Sequence, residues 1–329
     1  MKKIASFLVV AVILLGGVSP LFAGGGKQAS PAGGQAGAAS GPQKYRIGYL
    51  SKNQSDTFVK NISDALLARA AELSNDCTVT IMDAQGEINN QIQQAEDFIT
   101  QRYDAIILNA VDYEGCAPIV DKALDAKIPI VAVNTTTNNI DKITYVGSND
   151  ADAGKIQAEY LRKVLKPGAK IVYLEGPIGI SPQIFRKQGI TDNLLSDKSM
   201  NIQVLDDQTA NWKRDQAMTL TENWLTRFNN NIDAVVCQND DMALGALEAV
   251  EAKGLKDKII IIGVDAIKDA LAAVKAGRLD ATVFQDAAGQ GRGALDAALQ
   301  LLKTKQTKMP DVMIPFKAVT KDNVDQFMK

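Results

Sequence analysis

From residue 44 onward, short apolar runs rich in β-branched residues alternate with longer stretches of helical period, and few folds can absorb that alternation. The strand-like runs are 45–50, 79–83, 105–109, 128–134, 144–147, 171–174, 202–205, 234–238, 259–264 and 282–285. Runs such as 259–262 are apolar throughout, as parallel strands covered on both faces must be. Ile88, Ile92, Ala95 and Ile99 recur at the spacing of one buried helical stripe. Further helical stretches cover 58–73, 113–126, 152–165, 183–195, 215–228, 242–253 and 288–302. Repeated strand–helix units imply right-handed crossovers and a doubly wound α/β fold. Ten strands exceed what one small open sheet holds, so two sheets of about five are expected. The expectation is two doubly wound, Rossmann-like lobes.

The first residues are set apart from this pattern. Lys2 and Lys3 precede a charge-free, mostly apolar run over 4–18, and Ala23 supplies a small residue at a cleavage point. Residues 1–23 therefore read as a secretory signal peptide, since the run is short for a membrane span. No cysteine lies near that point to carry a lipid, Cys77 being the first in the chain. Residues 24–43 are almost all Gly, Ala, Ser, Gln and Pro, and read as a disordered linker with nothing to bury. At roughly 150 residues per domain, the remainder makes two domains.

Composition removes whole classes of function. The chain of 329 residues has a formal net charge of -2 and no basic block, which argues against nucleic acid as a partner. It contains no histidine, so the common general base, Ser-His-Asp and Cys-His nucleophile systems and nearly every zinc site are ruled out. Cys77, Cys116 and Cys237 form no disulfide framework, and Cys77 and Cys237 lie in strand-like runs as buried thiols. There is no G-x-x-x-x-G-K-[ST] and no G-x-G-x-x-G turn after the first strand; the GQGRG at 289–293 opens a helix instead. No cofactor is expected.

In doubly wound sheets ligands bind beyond the carboxyl ends of the strands. Polar residues at those places are Asp56, Asn109, Asn134, Asn239, Asp265 and Gln285. Their planar side chains can each present two hydrogen-bonding atoms to neighbouring hydroxyls. Asn and Asp also cap helices and build turns there, and Asp150 and Asp240, each opening a helix, read as N-caps. Trp224, beside Leu225 within a helix, reads as packing.

Several ordered stretches resemble the type 1 periplasmic sugar-binding proteins of the ribose and galactose kind. They are CQNDDMALGAL at 237–247, IGVDA at 262–266, ATVFQ at 281–285, AIILN at 105–109, YVGSND at 145–150 and TANWKRDQA at 209–217. The likeness runs from about Arg46 to the end, nearest in motifs to galactose/glucose- and inositol-binding members. It implies two lobes joined by a three-stranded hinge that close on one ring, a periplasmic location, and delivery to an ABC-transporter permease. A chemoreceptor is a compatible second partner, and a monomer is expected. The chain would cross between lobes near Asn149, Gln285 and Asp311, so that 44–149 with 287–310 form one lobe and 150–285 with 312–329 the other. Residue by residue, Phe58 and Trp212 match the two stacking aromatics and Asp56 the acid beside the first. Asn134 matches the asparagine ending the fourth strand, Arg186 the arginine of the second lobe, and Asn239 and Asp265 two strand-end hydrogen-bonders. Gln285 matches the ribose-type glutamine. Ser55 and Asn109 are further candidates.

Departures narrow the ligand. Asn134-Thr135 stands where ribose-type members have Asp-Arg, which disfavours a furanose. Ile180 and Pro182 replace the histidine and aspartate of galactose-type members, and the 165–170 segment, LKPGAK, lacks their calcium loop. The expected ligand is a hexose such as glucose or galactose, or inositol. A lactose-repressor-type regulator shares the fold but needs a basic helix-turn-helix, and this chain starts with an export signal. A chemotaxis-only sugar receptor is the other alternative. An enzyme would have to pair Asp56 with Asp265, or Asp240 with Asp241, and no enzymatic activity is expected.

Overall fold

The computed structural model describes residues 44–328; the signal-peptide and linker readings, 1–23 and 24–43, lie outside the described residues. The first sheet is built from β1 (Tyr45–Ser51), β2 (Cys77–Asp83), β3 (Ala105–Leu108), β4 (Ile130–Val133) and β5 (Thr144–Gly147). Helices α1 (Thr57–Glu72), α2 (Ile88–Thr100) and α3 (Ala117–Asp125) connect these strands. The second sheet takes β6 (Lys170–Glu175), β7 (Gln203–Thr209), β8 (Ala234–Cys237), β9 (Ile260–Ile262) and β10 (Ala281–Phe284). Its helices are α4 (Asp150–Val164), α5 (Ser181–Ile190), α6 (Arg214–Arg227), α7 (Asp240–Ala252) and α8 (Lys268–Lys275). Helix α9 (Ala287–Thr304) returns to the first sheet, and β11 (Val312–Met313) and β12 (Lys317–Thr320) end the chain.

Strand order is β2-β1-β3-β4-β5-β11 in one sheet and β7-β6-β8-β9-β10-β12 in the other. The same order twice means that two copies of one winding scheme were built, each with its reversal of direction beside its first strand. Every pairing is parallel except β10 with β12. The pleat sorts side chains as the apolar runs require. Ile47, Tyr49, Ile107, Val131 and Val133 pack under α1 and α9, while Leu50, Ile106, Leu108, Ile130 and Ala132 pack under α2 and α3. Each such buried aliphatic side chain contributes about 1.5–3 kcal/mol. The second lobe repeats the device, with Trp224 buried in the layer under α6 and α7.

The structure departs from the sequence reading in places where periodicity was weak. Helix α8 spans eight residues and buries Ala270, Leu271, Ala273 and Val274, too short a stripe to stand out. Strand β7 extends to Thr209 through Asp206, Asp207 and Gln208, because it is a sheet edge whose side chains face solvent. The sequence places 312–329 in the second lobe, yet Val312 and Met313 pair with Val146 and Gly147 of the first sheet. Asp311 secures that register by accepting from the Tyr145 amide at 3.0 Å. The third crossing therefore falls between Met313 and Lys317. All three cysteines are free and buried.

Asp150 and Asp240 do not cap their helices. Asn149 and Asn239, one residue earlier, do so, accepting from the amides of Ala151 and Met242. Asp240 is instead a buried tie: its two oxygens accept from the Ile267 amide at 3.0 Å and the Thr282 hydroxyl at 2.6 Å. Burial pushes its carboxyl up to about 7, against the opposing hydrogen bonds. A raised acid keeps its proton in the folded state after the unfolded chain has released it. Stability linked to Asp240 is thus present below about pH 4 and lost as pH rises towards 7.

Two predictions follow from this packing. Urea unfolding at a series of pH values between 4.5 and 7.5 should show that Asp240→Asn flattens the loss of stability by up to about 1.4 kcal/mol per pH unit. An unchanged slope would mean that Asp240 ionises as freely folded as unfolded. The second concerns α4 and α5, which touch backbone to backbone: a Cβ on Gly154 would lie 2.1 Å from the Arg186 carbonyl oxygen. Gly154→Ala should cost about 1–3 kcal/mol, read by the same unfolding experiment. A wild-type midpoint would show that α5 can give way freely.

Candidate binding site

The carboxyl ends of both sheets face one another, and the contacts between the lobes are specific. The Thr57 hydroxyl donates to Asp241 at 2.8 Å, the Thr136 amide to the Ser181 hydroxyl at 2.9 Å, and the Tyr113 amide to the Gly179 carbonyl at 2.9 Å. Tyr113 and Phe185 meet edge to face at 5.5 Å. Between the lobes lies a cleft of about 250 Å³, lined by Lys52, Asp56, Phe58, Asn134, Pro182, Arg186, Trp212, Asn239, Asp265 and Gln285.

Each wall has a local cause. Asp56 caps α1, one oxygen accepting from the amides of Phe58 and Val59 and the other pairing with Lys52 at 3.4 Å. Capping fixes the carboxylate at the cleft and sets Phe58 in the first turn of α1, 6% exposed. Asn134 leaves β4 at φ 66, left-handed backbone that asparagine tolerates better than most residues. Asn109, fully buried, donates to the Asn134 side chain at 3.3 Å and to the Thr135 hydroxyl at 3.0 Å, while its oxygen accepts from the Lys52 amide. It supports the wall and does not line the cleft.

On the facing lobe Arg186 is 3% exposed. Its guanidinium donates to Asp150 at 3.2 Å, to the Gln238 carbonyl at 2.5 Å and to the Gln285 side chain at 3.0 Å, with Asp265 at 3.9 Å. Trp212 sits in the turn after β7 at φ 61, following Asn211 at φ 53. Its ring packs against Gly176, where a Cβ would come within 2.0–2.4 Å of three ring atoms. Asn239 spends its oxygen capping α7, leaving the amide nitrogen as the donor it can offer. Asp265 follows β9 at φ 121, an expensive backbone for any residue with a side chain. Burial lifts its carboxyl well above the ordinary range; Arg186 opposes the rise, and Asp240 and Asp56 add to it. Burial likewise raises Asp150, against Arg186.

The eight principal residues named from sequence thus share one cleft. Ser55 does not line it: it is exposed and bonded to Asn53. Sequence reasoning missed Lys52, Pro182 and the Arg186 partner Asp150. Lys52 stands just past β1, a strand-end position like the others, but lysine is usually solvated; here it is 7% exposed, 5.4 Å above the Trp212 ring. Among the residues lining this cleft, Trp212 Nε1 and Gln285 Nε2 are buried donors without a protein partner. No group of three or more carboxylates or thiols among the described residues is disposed to hold a metal ion. The site can therefore surround a small neutral ring with carboxylate acceptors, amide and guanidinium donors and two aromatic faces.

Comparison with known proteins agrees with this geometry. The sequence matches the periplasmic binding protein domain over residues 47–306. A protein named for rhizopine binding in Rhizobium meliloti is 40% identical over 252 residues, covering 75% of this chain and 81% of that one. An ABC transporter solute-binding protein of Bacillus halodurans, solved with myo-inositol bound, is 37% identical with a TM-score of 0.82, covering 87% of this chain and 97% of its own. The Caulobacter myo-inositol-binding protein, also solved with myo-inositol, is 30% identical with a TM-score of 0.82, covering 87% and 96%. The likeness embraces both lobes and the hinge, and by it the chain belongs to the periplasmic binding protein family, in its type 1 form.

Proposed function

We propose that this protein is exported to the periplasm, closes its lobes on one cyclic polyol, myo-inositol first among candidates, and presents it to an ABC-transporter permease. The observation that carries the reading is the chemistry of the cleft. Phe58 and Trp212 offer apolar faces, while Asp56, Asn134, Arg186, Asn239, Asp265 and Gln285 offer the polar belt around them. A cyclic polyol has the matching form, with C–H faces and a rim of hydroxyls. Trp212 Nε1 and Gln285 Nε2 each need an acceptor, which a hydroxyl supplies. The two inositol-bound relatives support the same ligand. A hexose is the second reading, favoured by the match of Asp56 and Asn134 to galactose-type members. The carboxylates act as acceptors: Asp56 is already committed to its cap and to Lys52, so it is no free general base. A chemoreceptor is compatible as a second partner.

Neither half-set of residues can surround a ring alone, so ligand gains contacts only in the closed state, and that difference drives closure. Small-angle scattering should show a smaller radius of gyration with ligand than without; equal radii would leave the clamp unsupported.

A thermal-shift screen over inositols, hexoses and pentoses should single out myo-inositol or a hexose. Ligand at about 100 times its Kd adds about 2.7 kcal/mol to the native state; no shift with any ring would overturn the reading. By calorimetry, Arg186→Ala should lose about 2–5 kcal/mol of binding, since Asp150 and Asp265 are left without their cation. Trp212→Ala should lose at least about 2 kcal/mol. Trp224→Ala should leave affinity unchanged while lowering stability by about 3–5 kcal/mol. Wild-type affinity in Arg186→Ala would remove that residue from the site.

A further inference from the structure

Away from the ring cleft the lobes also meet along a seam. After β3, the Tyr113 amide donates to the Gly179 carbonyl at 2.9 Å, and the Tyr113 ring meets Phe185 of α5. After β4, the Thr136 amide donates to the Ser181 hydroxyl at 2.9 Å. None of these residues lines the cleft. Gly179 is the tightest point. Its φ of 95 is a backbone that glycine adopts without steric cost. A Cβ there would lie 2.4 Å from Asp112 Oδ2, on the other lobe. Both sides of this approach are tied down. The other Asp112 oxygen accepts from the amides of Glu114 and Gly115 at 3.0 and 2.6 Å. The Gly179 amide donates to the Gln183 side chain at 3.2 Å. Gln183 donates in turn to Glu175, which is buried and paired with Lys187 at 2.5 Å.

We infer that Asp112, Tyr113 and Gly179 form a latch that scales the affinity of the closed state by the same factor for every ligand. The inference rests on the lobe closure proposed above and concerns residues outside the ring cleft. The seam contacts join one lobe to the other, so parting the lobes breaks them whatever the cleft holds. They therefore weight the open–closed equilibrium directly. Apparent Kd is the intrinsic value divided by the fraction in the competent, closed state, so a weakened latch costs all ligands alike. A residue in the ring wall has the opposite signature, because its loss falls unequally on rings that differ in their hydroxyls.

Calorimetry on the full chain with myo-inositol, D-galactose and D-glucose tests this. Gly179→Ala should weaken every ring that binds by about tenfold. Ratios between rings should stay within about twofold of the wild type. The double variant Asp112→Ser/Gly179→Ala withdraws the opposing oxygen while a hydroxyl still holds the turn, and should regain at least about threefold of the loss. Backbone strain alone predicts no recovery, because Asp112→Ser leaves φ at 179 as it was. Tyr113→Ala removes the edge-to-face contact and should weaken all rings by about threefold; it stands in for Gly179→Ala should that chain fail to fold. Wild-type affinity in both single variants, no recovery in the double variant, or a loss that falls on one binding ring and spares another would overturn the latch while the ring reading stands. If no ring binds the wild type, the ring reading has failed, and the latch falls with it unless Gly179→Ala enlarges the radius of gyration of the ligand-free protein.

Discussion

A buried guanidinium organises the second lobe. Burying a cation costs several kcal/mol unless opposite charge and hydrogen bonds surround it, and Arg186 meets that demand with groups from four places in the chain. Asp150 comes from the start of α4, the Gln238 carbonyl from the end of β8, Asp265 from beyond β9 and Gln285 from beyond β10. The ends of three strands and the start of α4 are thereby tied to one planar group on α5. Placing it there depends in turn on the close approach of α4 and α5, which Gly154 and Gly189 allow by lacking side chains.

The first lobe is built on another principle. Its cleft residues are held by hydrogen bonds to the backbone. Asp56 caps α1, Asn109 bridges three strand ends, and the Tyr145 hydroxyl lies 3.0 and 2.9 Å from the carbonyl oxygens of Asn134 and Ser148. Ser148 stands at the first crossing between the lobes, so the same tyrosine touches both a wall of the cleft and the hinge. One lobe brings a buried cation and the other a preformed rim.

Much of this was legible because parallel strands announce themselves by unbroken apolar runs and because strand ends in such sheets are functional ground. Asp56, Asn134, Asn239, Asp265 and Gln285 could be named for that reason. Phe58, Arg186 and Trp212 came from the resemblance, since nothing in their local pattern marks them. What escaped was whatever depends on pairing in three dimensions. Asp150 and Asp240 look like N-caps, and only the positions of Arg186, Ile267 and Thr282 show why they are buried instead. Lys52 looks like a surface lysine until Asp56 and Trp212 are seen beside it. The pairing of Val312 and Met313 was illegible because two residues carry no period.

Three of the cleft residues, Asn134, Trp212 and Asp265, hold left-handed or otherwise positive φ. The consequence is historical as much as mechanical. A β-branched side chain at any of these positions would have to overcome the backbone before it touched a ligand. Exchange is thereby confined: position 134 accepts Asn, Asp or Gly with least strain, whereas at 265 only Gly would relieve the backbone.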